Sequence, residues 1–210
     1  AVKGGNVQAR MPDQVPTYGR PSSDYYYSLL DSPDDLISPE ILVGRLPAIS
    51  AADGKAIVDK IIECDTVPAD RWNRTWYFVG GGTENEGLCN IYQTMLSDPL
   101  GTGVKITERP FCADTITLCK STAPKNAGYF ITQTINAGVQ WMNYVGHGAT
   151  ELFDINGWEP SELDNAGKYG VLATFACQTG AFSNPSVPCK NAQYITHPGK
   201  GFVASMGATG

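Results

Sequence analysis

Apolar residues in this chain fall into short runs separated by polar and glycine-rich breaks. Trp76-Tyr77-Phe78-Val79, Val139–Val145, Gly170–Ala176 and Gly201–Met206 are nearly continuous. Such runs read as strands buried on both faces. Ile41–Leu46, closed by Pro47, reads as a further strand, and Val104–Thr107 as a short one followed by a variable loop through 125. Helical periods lie between the runs. Ser50 or Asp53 caps a helix through about Asp65, with Ala56, Ile57, Ile61 and Cys64 on one face. A second helix is expected over roughly 87–97. A third spans Asn126–Ala137, with Phe130, Thr134 and Ala137 on one face and Gly138 as its stop, and a short one starts at Ser161. Residues 1–22, with Pro12, Pro16 and Pro21, read as an irregular lead-in, and Ile195–Lys200 as a turn.

From residue 41 onward strands alternate with helices, which predicts an α/β domain with a mostly parallel sheet covered on both faces. Ligand sites in such sheets lie at the carboxyl ends of strands. Two runs end on reactive residues. The first stops at Gly146-His147-Gly148, and the second at Cys177. Neighbouring parallel strands would bring both side chains to one sheet edge. A cysteine nucleophile needs a base and needs donors for the oxyanion of a tetrahedral intermediate. His147 is the candidate base, and the backbone N–H groups of Gly148 and Cys177 are the candidate donors. Gln178-Thr179-Gly180 leaves room for a bound peptide, with Gln178 a candidate substrate contact.

Other residues carry weaker signals. Gly80-Gly81-Gly82 follows a strand, but the spacing fits neither phosphate-loop pattern, so a close-packed loop at the sheet edge is expected. Trp141 and Phe175 read as core, whereas Trp158 sits in a loop and is a candidate pocket residue. Arg45 reads as a structural anchor, His197 as a surface residue and Cys189 as a buried or free thiol. Cys112 and Cys119 are candidates for pairing in an oxidising compartment. Asp31-Ser32-Pro33-Asp34-Asp35 reads as a solvated acidic turn, with a calcium-binding loop as the alternative.

Composition narrows the function classes. The 210 residues carry a formal net charge of -6 and no basic run, which argues against a nucleic acid or an anionic membrane as partner. No apolar stretch is long enough for a transmembrane helix. With only 2 histidines and no paired-cysteine motif, a zinc site is not expected. The aromatic, Gly/Asn/Thr-rich composition suits a secreted or cell-surface protein, whose export signal would lie outside this sequence.

The motifs around these residues resemble those of the gingipain-like cysteine peptidases, family C25, relatives of the caspases. NYVGHGA (143–149) is similar to the family's histidine motif, and ATFACQTGAF (173–182) to its cysteine motif. SDYYYSLLD (23–31) with ILVGRLPA (41–48) is similar to an upstream block, and VPC (187–189) also matches. The resemblance implies a caspase-like three-layer sandwich, a protein or peptide substrate and no cofactor in the chemistry. It makes residues 1–210 a catalytic domain truncated at both ends. It assigns Cys177 as nucleophile, His147 as general base and Gly148 as oxyanion donor. The family's acidic partner of the histidine falls near Gly80 here, so no third member is assigned. Glu84 and Glu86 lie near the family's position for selecting a basic substrate side chain. Structural calcium is also implied, with Asp31, Asp34 and Asp35 as candidates by residue type. Two other readings use the same motifs: a sortase-like transpeptidase, and a non-catalytic binding or structural module of a larger exported protein. Oligomeric state is left open.

Overall fold

The computed structural model describes residues 15–30, 37–82, 114–119, 126–184 and 187–210. The predicted elements at 87–97 and 104–107 lie outside these residues, as do Asp31, Asp34, Asp35, Glu84, Glu86, Cys89 and Cys112, and with Cys112 its pairing to Cys119.

The centre is a parallel sheet of β1 (Thr75–Gly80), β2 (Asp114–Cys119), β3 (Trp141–Val145), β6 (Val171–Phe175) and β7 (Ala204–Gly207). Its order is β2-β1-β3-β6-β7. A small antiparallel pair, β4 (Gly148–Ala149) and β5 (Leu152–Phe153), stands beyond the end of β3. Three helices are described: α1 (Ala51–Thr66), α2 (Ala127–Ala137) and α3 (Lys190–Thr196). The predicted parallel α/β architecture is therefore the observed one. Tyr77, Val79, Met142, Tyr144 and Leu172 from the strands join Ile57, Ile131, Ile135 and Tyr194 from the helices in one core.

Ser50 and Asp53 both cap α1. The Ser50 hydroxyl accepts from the Asp53 N–H at 3.1 Å, and the Asp53 carboxylate accepts from the Ile49 N–H at 3.1 Å. The buried face of α1 carries Ala56, Ile57 and Lys60, while Ile61 is 38% exposed. Lys60 is tolerated inside because its ammonium donates to the carbonyls of Tyr194, Lys200 and Phe202 at 2.9–3.0 Å. These bonds tie α1 to α3 and to the connection that follows it.

Several expectations are corrected. Ile41–Leu46 is not in the sheet; it runs over the surface with Leu42 fully exposed. Its anchor is Arg45, which grips the Asp24 carboxylate with two nitrogens at 2.6 and 2.7 Å and so fills the expected structural role. Asp114–Cys119 is a strand where a loop was expected. Its polar alternation differs from the continuous apolar runs of β1, β3 and β6, and among the described residues it pairs with β1 alone. The buried stripe of α2 is Ala127, Gly128, Ile131, Thr132 and Ile135, one step round from Phe130, Thr134 and Ala137. Helix α3 was not expected and runs into the predicted turn at Ile195–Lys200, since its inward positions include Lys190 and Asn191, polar residues that no hydrophobic period flags. Phe175, expected in the core, is 59% exposed at the end of β6.

Candidate active site

Val145 of β3 pairs with Phe175 of β6, and His147 and Cys177 each follow two residues beyond that pair. The two side chains therefore leave the sheet at the carboxyl ends of adjacent strands. Both residues are exposed.

Glycines let the turns close on one another. A methyl group on Gly146 would lie 2.8 Å from the Gly81 Cα, so the turns after β1 and β3 meet backbone to backbone. A methyl on Gly148 would lie 2.8 Å from Thr179 Cγ2 and 3.0 Å from Ala176 Cβ. The histidine turn thus rests directly on both flanks of Cys177. The Asp154 N–H donates to the His147 carbonyl at 3.2 Å, and Gly148 pairs with Phe153. Hydrogen-bonded and non-bonded pairs alternate in an antiparallel ladder, so the Gly148 N–H faces away from the β4–β5 pair.

Asp154 supports the histidine turn and was missed in the sequence. One of its carboxylate oxygens accepts from the Gly82 N–H at 2.5 Å, and the other accepts from the Tyr144 hydroxyl. The Tyr144 oxygen also lies 3.1 Å from the His147 carbonyl. Burial first, and then the Asp154 carboxylate, push the Tyr144 phenol well above its ordinary range, so it stays a donor. A methyl on Gly81 would lie 2.3 Å from Asp154 Oδ1, so the glycine after β1 makes room for this carboxylate. The available signal was positional: an acid seven residues after His147, where a tight hairpin folds back.

The cysteine turn is held differently. The Thr179 hydroxyl lies 2.8 Å from that of Thr174 and donates to the Ala176 carbonyl at 3.1 Å. Asn191 donates to Thr174 Oγ1 and to the Met206 carbonyl, both at 3.0 Å, and its N–H donates to the Thr179 carbonyl at 3.0 Å. Thr174, Thr179 and Asn191 are all buried. Gln178, directly after the cysteine, has φ 58°, a left-handed conformation uncommon for a residue with a side chain. Its N–H donates to the backbone oxygen of Gly210 at 3.2 Å, and its side-chain oxygen accepts from Thr150 at 3.3 Å. The turn lifts Cys177 clear of the sheet.

Trp158 is not a pocket residue. It is 2% exposed, stacked between Phe153 and Tyr194 with centroids at 4.6 and 5.2 Å, and its indole N–H donates to the Ile155 carbonyl at 2.7 Å. The loop carrying it folds under α2, where Gly128 admits the Asn156 carbonyl. Cys189 is buried, and burial raises its thiol pKa; the half-buried Cys64 thiol is raised by burial and then by Asp65 and Glu63. Among the described cysteines with described side chains, Cys177 is the exposed one. His197 is partly exposed at the end of α3. Among the described residues no cluster of His, Cys, Asp and Glu is set to hold a metal ion. No helix among them is long and apolar enough to cross a membrane.

The family model of peptidase family C25 matches residues 3–210. The chain belongs to that family. Among solved structures it is similar to the Arg-specific cysteine proteinase gingipain R, with TM-score 0.69 and 21% identity over 91% of this chain and 45% of that one. It is also similar to a complex of the pro- and mature domains of RgpB from Porphyromonas gingivalis (TM-score 0.68, 17% identity, 99% and 48% coverage). A structure described as a protease gives TM-score 0.67 and 23% identity over 89% of this chain and 40% of that one. The chain therefore spans less than half the length of these structures, and the likeness gives the fold. Among curated proteins nothing matches.

Proposed function

We propose that this chain carries the catalytic centre of a cysteine endopeptidase. The observation behind the reading is the contact of the Gly148 backbone with Ala176 and Thr179, which sets a histidine turn against an exposed cysteine at adjacent strand ends. In this reading His147 takes the proton of the Cys177 thiol, and the thiolate attacks the scissile carbonyl. The N–H groups of Gly148 and Cys177 stabilise the oxyanion. The imidazolium protonates the leaving amine as the thioester forms, and water then hydrolyses the thioester. Asp154 is the positioning residue: its carboxylate binds Gly82 and Tyr144, and its backbone holds the His147 carbonyl. Gln178 borders the bound peptide, and the substrate is a protein or peptide.

A thiol-directed alkylating probe tests the dyad. Cys177 is expected to label at least tenfold faster than Cys64 and Cys189 at neutral pH, because its thiol is exposed and has a base nearby. Labelling should fall to the rate of an ordinary exposed thiol in His147→Ala. Equal labelling of all three thiols, or an unchanged rate without His147, sinks the proposal.

A further inference from the structure

The segment 18–26 forms an open pocket of about 360 Å³, lined by Tyr18, Arg20, Pro21, Ser23, Tyr25 and Tyr26 among others. That volume lies within the usual range for ligand sites, about 300–1,000 Å³. Its wall is braced. Tyr18 and Ser23 exchange backbone hydrogen bonds at 3.1 and 2.7 Å, the Thr17 hydroxyl donates to the Ser23 carbonyl at 2.9 Å, and the Tyr25 hydroxyl donates to the Ile37 carbonyl at 3.0 Å. The rings pack on one another, with Tyr18 and Tyr26 centroids 5.3 Å apart.

The pocket borders the cysteine turn. A methyl on Gly210 would lie 2.4 Å from Pro21 Cγ, and the Gly210 oxygen accepts from the Gln178 N–H at 3.2 Å. On the other side Asp24 binds Arg45, whose guanidinium lies 4.8 Å from the centre of the Phe182 ring, beyond the same turn. Pro21 on the pocket's rim is thus linked through Gly210 to Gln178, the residue that follows Cys177.

Its chemistry is one-sided. Among the described residues the Arg20 guanidinium makes no ion pair, and the Tyr18 and Tyr26 hydroxyls have no hydrogen-bond acceptor. The nearest carboxylate of the segment, Asp24, is already taken by Arg45. Arg20 and Tyr26 are exposed to solvent, and aromatic walls beside a guanidinium without an ion pair match a short side chain that ends in a carboxylate.

We propose that this pocket is a substrate subsite that binds an acidic side chain close to the scissile bond, its carboxylate on Arg20 and its methylenes against the tyrosine rings. The proposal rests on the peptidase reading for its place in a reaction, and it can be tested without it. Matched fluorogenic peptides carrying Glu or Gln at each position around one cleavage site are the probe. The intact protein is expected to cleave the Glu peptide about tenfold faster in kcat/KM at one position. Arg20→Gln should erase that preference, leaving the Gln peptide and the labelling rate of Cys177 unchanged. No preference at any position, or a preference that survives in Arg20→Gln, overturns it. Binding of the same peptides, dye-labelled, to a Cys177→Ala variant separates the two readings. Tighter binding of a Glu peptide that Arg20→Gln abolishes upholds the subsite even where no cleavage occurs, and equal binding of Glu and Gln peptides overturns it.

Discussion

The two turns that meet at this site are built from opposite materials. The cysteine turn is clamped by neutral groups inside the protein: two threonine hydroxyls and an asparagine amide, all shielded from solvent. The histidine turn is clamped at the sheet edge by an aspartate and a phenol, with glycines on either side. A neutral network depends on every partner being present, because a buried orphan is costly. A charged clamp makes stronger single bonds, and fewer of them suffice. Cys177 is therefore exposed on a turn secured from below, whereas His147 sits on a turn secured from the side.

The largest effect is expected where the charged clamp is cut. Asp154→Ala removes two hydrogen bonds to a charged group, at about 1.5–3 kcal/mol each. Peptidase activity should fall about a hundredfold in kcat/KM, mostly in kcat, with Cys177 still exposed. A loss shared equally by stability and activity would erase the distinction between the turns. Next is Thr179→Val, which keeps the shape and removes the hydroxyl's bonds to Thr174 and to the Ala176 carbonyl. Urea unfolding should give about 2 kcal/mol less stability. An effect under about 0.5 kcal/mol would mean that the neutral network is dispensable. Tyr144→Phe sharpens the picture of the charged side. It removes the phenol's bond to Asp154 and keeps that of Gly82, and about 1.5 kcal/mol should be lost, read as a tenfold drop in kcat/KM. No change would assign the clamp to Gly82.

The smallest effect concerns pH. Behind the cysteine side, α1 holds Lys60, whose pKa burial lowers to about 7. Below pH 7 the folded and unfolded chains both bind its proton. Between pH 7 and about 10.5 the unfolded chain binds more protons, so stability rises with pH through that window. From pH 7 to 8 the wild type should gain about 1 kcal/mol relative to Lys60→Met. Parallel denaturation curves for the two proteins would show that the three carbonyls keep Lys60 charged.

Much of this was legible in the residues. Strands buried on both faces leave continuous apolar runs, so β1, β3 and β6 announced themselves, and with them the sheet edge that carries His147 and Cys177. Helix α1 was marked by a cap that local hydrogen bonding specifies. Asp114–Cys119 and Lys190–Thr196 were not legible, because a strand of alternating polar residues shows no apolar run and a short helix can bury polar residues once their partners arrive from elsewhere. Trp158 and Phe175 exchanged their expected roles for a similar reason: burial of a large ring depends on which loop folds over it.

The sequence by itself determined the parallel α/β pattern and the two strand ends that carry histidine and cysteine, since both follow from local periodicity and chain order. Tertiary structure alone decided that Asp154 returns beside His147, that Gly148 lies on Ala176 and Thr179, and that Pro21 meets Gly210 next to the cysteine turn. These contacts join segments through close backbone approach and buried hydrogen bonds, which leave no periodic trace in the chain.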